Sequence, residues 1–289
     1  MREVLRSALA CPACHGDLED AIADDSLVCQ PCGRSFRRTG NAWLLRLDES
    51  SAAATTYQRG VRGRLRTRVP PGLLRLFAPV LITGPRWTRS LAATLADDTE
   101  LVVDVGSGNS RSQPAVVTVD MLAYPEVDIV ADAARLPFRA GSVRGLVSIA
   151  LLEHVPSSAA VLEEWGRVLS PGGRLFLVVP FLQPFHAAPE DYRRWTLAGL
   201  EQSVAQHFVV RDSGVYCGPT STLVWIVADW LALVLSLGSL RLRSALSYAL
   251  QALLSPCKWL DLIVARLPGA DGLASALFVE AERAGPPTK

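Results

Sequence analysis

One stretch near the middle of the chain restricts the fold more than any other feature of its 289 residues. Residues 101–105 form an apolar, β-branched run that contains Asp104 and breaks into the glycine turn Gly106–Gly108. A second apolar run, residues 115–119, ends in Asp120. In an open α/β sheet a glycine turn lets a ligand approach the backbone, and the acid after the next strand accepts hydrogen bonds from ribose hydroxyls. A tight turn without a ligand has a similar sequence, but the acidic partner favours a site for a nucleoside-like cofactor.

Four cysteines near the N-terminus have the spacing of a metal site. They form two CxxC pairs separated by fourteen residues, and they are Cys11, Cys14, Cys29 and Cys32. The first residues lack the apolar core of a signal peptide, so we expect synthesis in the cytoplasm, where thiols stay reduced. The spacing then predicts a structural Zn²⁺ site with four thiolates, and a redox pair or a metal-free ribbon is the alternative. The two isolated cysteines, Cys217 and Cys257, are expected in the core.

Length and charge suggest one full-sized domain with a smaller one attached. A net charge of +1 gives no overall field that would attract a polyanion. Residues 1–48 are interpreted as the ribbon, residues 49–98 as an Arg-rich linker with capping helices, and residues 99–289 as the main domain. The arginines between Arg59 and Arg68 could contact phosphate groups of RNA or lipid, or they could belong to a solvated linker.

From residue 100 onward apolar strands alternate with helical segments, which predicts an α/β fold with a parallel sheet. The predicted strands are residues 101–105, 115–119, 127–130, 145–149, 174–180, 208–211 and 277–282, and the predicted helices are residues 159–169 and 197–207. The link between the first two strands is short and contains Pro114, so its helix is expected to be only about one turn long.

With these motifs in order, residues 100–216 and the last strand resemble the class I S-adenosylmethionine-dependent methyltransferases of the type 11-like group. The resemblance implies a Rossmann-like, doubly wound sheet of seven strands. It also implies that S-adenosylmethionine contacts residues of several motifs, namely Asp104, Gly106, Ser107, Gly108, Asp120, Met121, Asp132, Ala133 and Ser148. Residues 167–173 match the turn before the fifth strand of the family. A third glycine that is common in the first motif is Ser110 here, and its small hydroxyl side chain is compatible with binding.

Two further segments resemble parts of known methyltransferases. The cysteine ribbon is similar to the small zinc-ribbon activator of eukaryotic methyltransferases and to the fused ribbon of bacterial rRNA guanine methyltransferases. Residues 180–196 are similar to a bacterial subgroup that we associate with glycan, lipid and secondary-metabolite gene clusters.

Methyl transfer to a hydroxyl group would need a base close to the acceptor. The best candidate is His186, the second is His154, and Asp191 and Tyr192 could orient either ring. The alternative is that backbone groups satisfy both histidines. Arg193 and Arg194 could bind an anionic substrate or form surface salt bridges.

Residues 219–268 are unusually apolar. Residues 222–237 approach the length of a membrane span, but the returning segment 245–267 carries Pro256, Lys258, Asp261 and Arg266. We therefore predict a helical hairpin inserted before the last strand. It would serve as a substrate lid, as a contact in a homo-oligomer, or as a membrane-interface element, and a true membrane span is the remaining alternative.

Together these patterns predict a methyltransferase with a structural zinc ribbon that acts on a small-molecule or lipid-linked metabolite, with oxygen as the expected acceptor. The expected location is the cytoplasm, with contact to the inner face of the membrane as an option. An rRNA methyltransferase that uses the ribbon and the Arg59–Arg68 run is the first alternative, although the charge and the apolar hairpin disfavour it. A non-catalytic cofactor-binding scaffold is the second, and the retained acids Asp104, Asp120 and Asp132 disfavour it.

Overall fold

The computed structural model describes residues 3–21, 26–47, 77–111, 113–186 and 190–285. Its N-terminal part is a small antiparallel ribbon that follows a short helix. The elements are α1 (Glu3–Ala8), β1 (Leu18–Asp20), β2 (Ser26–Cys29), β3 (Ser35–Thr39) and β4 (Ala42–Leu44). Each strand of the ribbon pairs with the next one along the chain. The Arg59–Arg68 run lies outside the described residues.

A seven-stranded sheet forms the centre of the main domain, as the sequence predicts. Its strands are β5 (Val102–Val105), β6 (Val117–Asp120), β7 (Ile129–Val130), β8 (Val143–Ile149), β9 (Leu169–Pro180), β10 (Val209–Cys217) and β11 (Ala276–Glu282). Their spatial order is β7-β6-β5-β8-β9-β11-β10, and only β11 runs antiparallel to its neighbours. The order reverses between β5 and β8, where the carboxyl ends of the strands open a crevice for ligands.

The ribbon extends this sheet, which the sequence did not predict. Strand β4 pairs in parallel with β7, with Trp43 beside Ile129, so a single sheet of eleven strands runs through both parts of the chain. A second contact lies at the start of the ribbon, where the backbone amide of Ala10 donates to the carbonyl of Pro137 at 3.0 Å. The ribbon and the main domain therefore share backbone hydrogen bonds.

Helices cover both faces of the sheet. They are α2 (Trp87–Ser90), α3 (Ala92–Leu95), α4 (Ser158–Val168) and α5 (Leu197–Val204). Trp165 of α4 and Phe138 are fully buried on one face, and Leu91 and Phe176 are fully buried on the other. Apolar strands that are covered on both faces are typical of parallel sheets. Between β5 and β6 the described residues form no helix, so the predicted turn of helix is not seen there.

The predicted hairpin before the last strand is confirmed. It consists of α6 (Pro219–Leu235) and α7 (Leu240–Leu254), followed by 3₁₀ turns and α8 (Asp261–Val264). The buried carboxylate of Asp261 accepts hydrogen bonds from the backbone amides of Thr220 at 2.7 Å and Ser221 at 2.8 Å, in the first turn of α6. Between the helices, Gln251 donates to Asp229 at 3.0 Å.

The helices and the two isolated cysteines differ in how they use apolar surroundings. Among the described helices, none combines the length and the hydropathy that crossing a membrane requires. Cys217 is buried, but Cys257 is exposed, so the prediction that both cysteines lie in the core is wrong for Cys257. Cys257 follows Pro256 in a 3₁₀ turn at the end of the hairpin, where Ser255 and Lys258 are the buried residues.

Candidate functional site

The four cysteines of the ribbon meet at one point. Two sulfur–sulfur distances show this, because Cys11 Sγ lies 3.7 Å from Cys32 Sγ and Cys14 Sγ lies 3.4 Å from Cys29 Sγ. All four sulfur atoms lie within 4.8 Å of one another. This spacing is close to the sulfur–sulfur distance of about 3.8 Å expected around a tetrahedral ion with Zn–S bonds of about 2.3 Å. The donor set therefore fits a structural zinc ion, which would leave no open position for catalysis.

The environment of the thiols also suits a cation. Burial raises the pKa of Cys29 to about 12, so this thiol would stay protonated without a positive charge beside it. The backbone amide of Arg34 lowers the pKa of Cys32 to about 7. A divalent ion favours the thiolate form of every ligand, and it would offset the cost of burying Cys29.

The glycine turn between β5 and β6 forms an open cradle at the carboxyl end of β5. Gly106 and Gly108 have φ angles of +80° and +59°, which favour glycine. A Cβ atom on Gly106 would lie 2.9 Å from Leu151, whereas a Cβ on Gly108 would meet nothing within 4 Å. A ligand can therefore approach the backbone at Gly108, whereas the side chain of Leu151 occupies the space beside Gly106. Ser110 donates to the carbonyl of Ser107 at 3.0 Å and so tightens the same turn.

Two carboxylates stand beside this cradle. Burial, together with the charge of Asp120, raises the pKa of Asp104 to about 7. Burial also raises the pKa of Asp120, although backbone amides that include those of Leu122 and Gly108 act in the opposite direction. Asp120 accepts hydrogen bonds from both amides at 2.9 Å. Two acids with raised pKa values suit a ligand that brings positive charge and hydroxyl groups. S-adenosylmethionine has both of these features.

The other predicted cofactor residues lie around the same crevice in different settings. Met121 is exposed, and its carbonyl accepts a hydrogen bond from Arg46 of the ribbon at 3.2 Å. Asp132 accepts from the amide of Ala134 at 2.9 Å, which holds Ala133 in a buried turn. The buried hydroxyl of Ser148 donates to the carbonyl of Val105 at 2.9 Å. This hydrogen bond joins β8 to β5, and the contact of Ser148 with the cofactor stays a prediction.

Across the crevice, His154 and His186 are brought together although 31 residues separate them in sequence. Their ring centroids lie 5.4 Å apart with nearly perpendicular planes. The Nε2 atoms of both rings lie 3.7 Å from the same oxygen of Glu153, Oε1. Glu153 was not among the site residues predicted from the sequence. One sequence feature could have indicated its importance: Glu153 is an ionisable residue directly before His154, in an otherwise apolar segment that follows a strand.

Asp191 and Arg194 support this cluster from the side. Asp191 accepts from the backbone amide of His186 at 2.9 Å and from Arg194 Nη2 at 2.7 Å. The Arg194 guanidinium lowers the pKa of Asp191 to about 2, so this carboxyl stays ionised. Burial lowers the pKa of His186, but Glu153, the Pro184 carbonyl and Asp191 together raise it above its ordinary value.

The remaining candidate residues contribute differently. The side chain of Tyr192 is exposed, while its backbone amide donates to the carbonyl of Glu153 at 2.7 Å. Arg193 donates to the hydroxyl of Ser158 at 2.7 Å, so contacts within the chain hold both Arg193 and Arg194. The Trp225 ring of α6 lies 6.2 Å from the His186 ring. The apolar hairpin therefore lies beside the cluster.

Two family models match this chain. Residues 95–177 match the methyltransferase domain family, and residues 5–37 match the family described as Trm112p-like protein. The first match includes the glycine cradle, both carboxylates beside it, and His154. The second includes all four cysteines of the ribbon. Among curated proteins no match was found.

Solved structures resemble the chain at low sequence identity. Phosphoethanolamine N-methyltransferase 2 of Haemonchus contortus is 14% identical with a TM-score of 0.47, and the match covers 81% of this chain and 60% of that one. Geranyl diphosphate C-methyltransferase of Streptomyces coelicolor A3(2) is 14% identical with a TM-score of 0.40, with coverage of 68% and 76%. A complex of the Haloferax volcanii Trm112 methyltransferase activator with a methyltransferase gives 16% identity, a TM-score of 0.40, and coverage of 68% and 90%.

Proposed function

We propose that the chain is an S-adenosylmethionine-dependent methyltransferase with an N-terminal zinc ribbon, and that it methylates a hydroxyl group of a small or lipid-linked metabolite. The observation that carries this proposal is the cluster of Glu153, His154 and His186, which lies beside Trp225 of the apolar hairpin. A polar cluster beside an apolar helix suits an acceptor that is apolar in most of its length and polar at the reacting end.

The residues around the glycine cradle are proposed to hold the cofactor. Asp120 would accept hydrogen bonds from the ribose hydroxyls, and the turn at Asp132 and Ala133 would contact the adenine. Asp104 and the turn Gly106–Gly108 would surround the methionine part, with Met121 at the exposed rim. When bound, S-adenosylmethionine supplies an electrophilic methyl group next to a good leaving group.

The chain's own contribution to the reaction is mainly positioning and exclusion of water. The acceptor hydroxyl is proposed to bind beside Nε2 of His186 or His154, where an imidazole can take up its proton. Asp191 holds the backbone of His186 in place and would keep the ring correctly oriented. Trp225 and the rest of α6 would keep water away from the reacting groups.

The outer surface of the hairpin supports a lipid-linked acceptor. Large apolar side chains are exposed along α6, α7 and the turns that follow, and they include Leu223, Trp230, Leu233, Leu237, Leu240, Leu253, Trp259 and Ile263. Arg241 and Arg243 are exposed beside the tip of the hairpin. Apolar side chains next to tryptophans and arginines are typical of elements that lie in the interface of an anionic membrane.

The tip of the hairpin offers a direct test of membrane contact. Leu237 and Leu240 are 92% and 77% exposed, so replacing both with Ser should leave the fold intact. We expect the double variant to lose most of its flotation with anionic lipid vesicles. Val209→Ser, on an exposed position of β10, serves as the control and should float like the unchanged chain. Equal flotation of all three proteins would contradict the membrane contact.

The acceptor class is tested by supplying methyl-labelled S-adenosylmethionine to the full chain in a cell extract. The extract is then separated into RNA, small-metabolite and organic-soluble fractions, with an Asp120→Asn variant as the control for enzymatic labelling. Ribonuclease-resistant label in the organic or small-metabolite fraction is the expected result. Label that ribonuclease releases would favour an RNA methyltransferase. Absence of label in a chain that binds the cofactor would favour a scaffold.

A further inference from the structure

Glu153 is an unusual residue for the interior of a protein. Its side chain is 0% exposed, and neither carboxylate oxygen has a hydrogen-bond partner among the described residues. A buried ionised carboxylate is costly unless a cation or several donors compensate for it. The two nearest candidates are the Nε2 atoms of His154 and His186, both 3.7 Å away from Oε1 and too distant for a normal hydrogen bond.

The hydrogen bond made by Nδ1 of each histidine determines whether its Nε2 atom, which faces Glu153, is a donor or an acceptor. Nδ1 of His154 lies 2.5 Å from the carbonyl oxygen of Glu190, and Nδ1 of His186 lies 3.0 Å from that of Pro184. A carbonyl oxygen only accepts hydrogen bonds, so both Nδ1 atoms carry a proton. In the neutral rings, therefore, both Nε2 atoms present lone pairs.

The Arg194 guanidinium, a hydrogen-bond donor, also lies 3.4 Å from Nδ1 of His186. Two acceptors are also close to this nitrogen, namely the Pro184 carbonyl at 3.0 Å and Oδ2 of Asp191 at 3.7 Å. Asp191 already pairs with Arg194. The shorter contact to a carbonyl thus sets the tautomer of His186.

With both rings neutral, the cluster directs one carboxylate oxygen and two nitrogen lone pairs at the same small volume. Three acceptors repel one another there, and a cation between them would remove that repulsion. The ligand atoms lie within 4.8 Å of one another. Metal–ligand bonds of about 2.1 Å place neighbouring ligands roughly 3.0 to 3.4 Å apart, so each of the two 3.7 Å separations between Glu153 and an imidazole would close by a few tenths of an ångström around an ion.

We propose that Glu153, His154 and His186 bind a divalent transition-metal ion. Two imidazoles and one carboxylate are typical ligands of catalytic Zn²⁺ and of non-haem Fe²⁺, and such sites keep a position open for water or substrate. Hydrogen bonds from the distal Nδ1–H groups to backbone carbonyls are the usual support for ligands of this kind. Among the described residues, the cysteine ribbon is the other group with metal-ligand geometry, and it lies in a different part of the chain.

This assignment changes the expected role of the histidines. An ion on both Nε2 atoms makes the imidazoles metal ligands rather than proton acceptors, and the open position, near Trp225, would bind an oxygen of the acceptor. That consequence rests on the proposed function, but metal binding does not. The two proposals are therefore separable. The chain can transfer methyl groups without binding a second metal ion, and it can bind that ion without transferring methyl groups to the proposed acceptor.

The experiment measures zinc in the full chain, because zinc binds nitrogen and oxygen sites tightly and also loads the ribbon. Protein from zinc-supplemented cells is dialysed against a low concentration of free Zn²⁺ and analysed by mass spectrometry of the metal. We expect two zinc ions per chain, and one in the Glu153→Gln and His186→Asn variants. The matched control His207→Asn, at a histidine outside both clusters, should retain two.

A second measurement distinguishes the loss of the metal site from misfolding of a variant. Growth with Co²⁺ gives each protein an absorption spectrum in which cobalt–thiolate bands report the ribbon and weaker bands report nitrogen and oxygen ligands. The Glu153→Gln variant should keep the thiolate bands, lose the others, and bind the second Co²⁺ at least about 100-fold more weakly. One zinc ion in the unchanged chain, or an equal zinc content in all variants, would overturn the proposal and leave a proton between Glu153 and the histidines.

Discussion

At the scale of single residues, Asp120 connects the glycine turn to the strand beside it. Its carboxylate accepts the amides of Gly108 and Leu122, and the remaining lone pairs are available to a ligand. Hydrogen bonds to a charged group contribute about 1.5 to 3 kcal/mol each. We therefore expect Asp120→Asn to weaken cofactor binding by about 10- to 100-fold in titration calorimetry. The control Asp212→Asn on β10 should bind normally, and an unchanged affinity of the Asp120 variant would refute the proposed ribose contact.

Asp104 leads to a prediction about pH. Its pKa of about 7 means that the cofactor-free protein holds a proton on this carboxyl below neutral pH. A ligand with positive charge favours the carboxylate, so binding releases that proton. The affinity for S-adenosylmethionine should thus rise with pH between about 5 and 7, by at most about tenfold per unit, and level off above 7. Calorimetry of the Asp104→Asn variant should give a flat profile in this range. The same slope in both proteins would assign it to another group.

At the scale of elements, the base of the hairpin depends on one buried acid. Asp261 accepts the amides of Thr220 and Ser221 and the hydroxyl of Ser221, and a Cβ on the adjacent Gly218 would lie 2.5 Å from its carboxyl carbon. Asp261→Ala would leave buried donors at the start of α6 without an acceptor. We expect this variant to lose about 2 to 4 kcal/mol in denaturant unfolding, with a smaller loss in Asp261→Asn. Asp271→Ala, in the 3₁₀ turn before β11, is the control, and equal stability of the Asp261 and Asp271 variants would contradict this cap.

The same hairpin illustrates the difference between apolar composition and a membrane span. Residues 219–235 are apolar enough to suggest burial all round, yet α6 packs on α7 through Gln251 and Asp229 and keeps one side exposed. Ser247 of α7 also donates to Asp229 and accepts from Gln251, so a network of three polar side chains links the two helices and helps to fix their mutual register. The exposed side is then free for a membrane or a second copy of the chain.

At the scale of the whole molecule, the ribbon is part of the main sheet. Strand β4 donates and accepts hydrogen bonds along β7, and Arg46 reaches the carbonyl of Met121 beside the cofactor cradle. The stability of the zinc site should therefore be transmitted to the main domain through backbone hydrogen bonds. In the proposed function, this arrangement makes the ribbon a structural support for the rim of the proposed cofactor site.

Zinc removal tests this coupling. Structural zinc sites contribute roughly 10 kcal/mol or more of binding free energy, so Cys29→Ser should lower the unfolding midpoint of the whole chain in calorimetry and weaken cofactor binding. The control Cys257→Ser changes an exposed cysteine outside the ribbon and should unfold like the unchanged chain. Two separate transitions in Cys29→Ser, with normal cofactor affinity, would show that the ribbon and the main domain are independent.

The sequence by itself determined the parts of this protein that depend on local pattern. Apolar runs that end in Asp104 and Asp120 defined two neighbouring strands and the turn between them, and the CxxC spacing defined the zinc ribbon. Both are short-range signals, because strand period, glycine geometry and knuckle length are set within a few residues.

Only the tertiary structure decided which distant residues meet. The pairing of β4 with β7 could not be predicted, since a short edge strand carries no signal for its partner in another part of the chain. Glu153 was overlooked for a related reason. Its importance comes from complete burial and from two histidine rings that converge on it, and burial depends on how the crevice, the loop after β9 and the hairpin pack together. Local sequence fixes the candidates for a site, whereas packing of elements that are distant in sequence fixes their geometry.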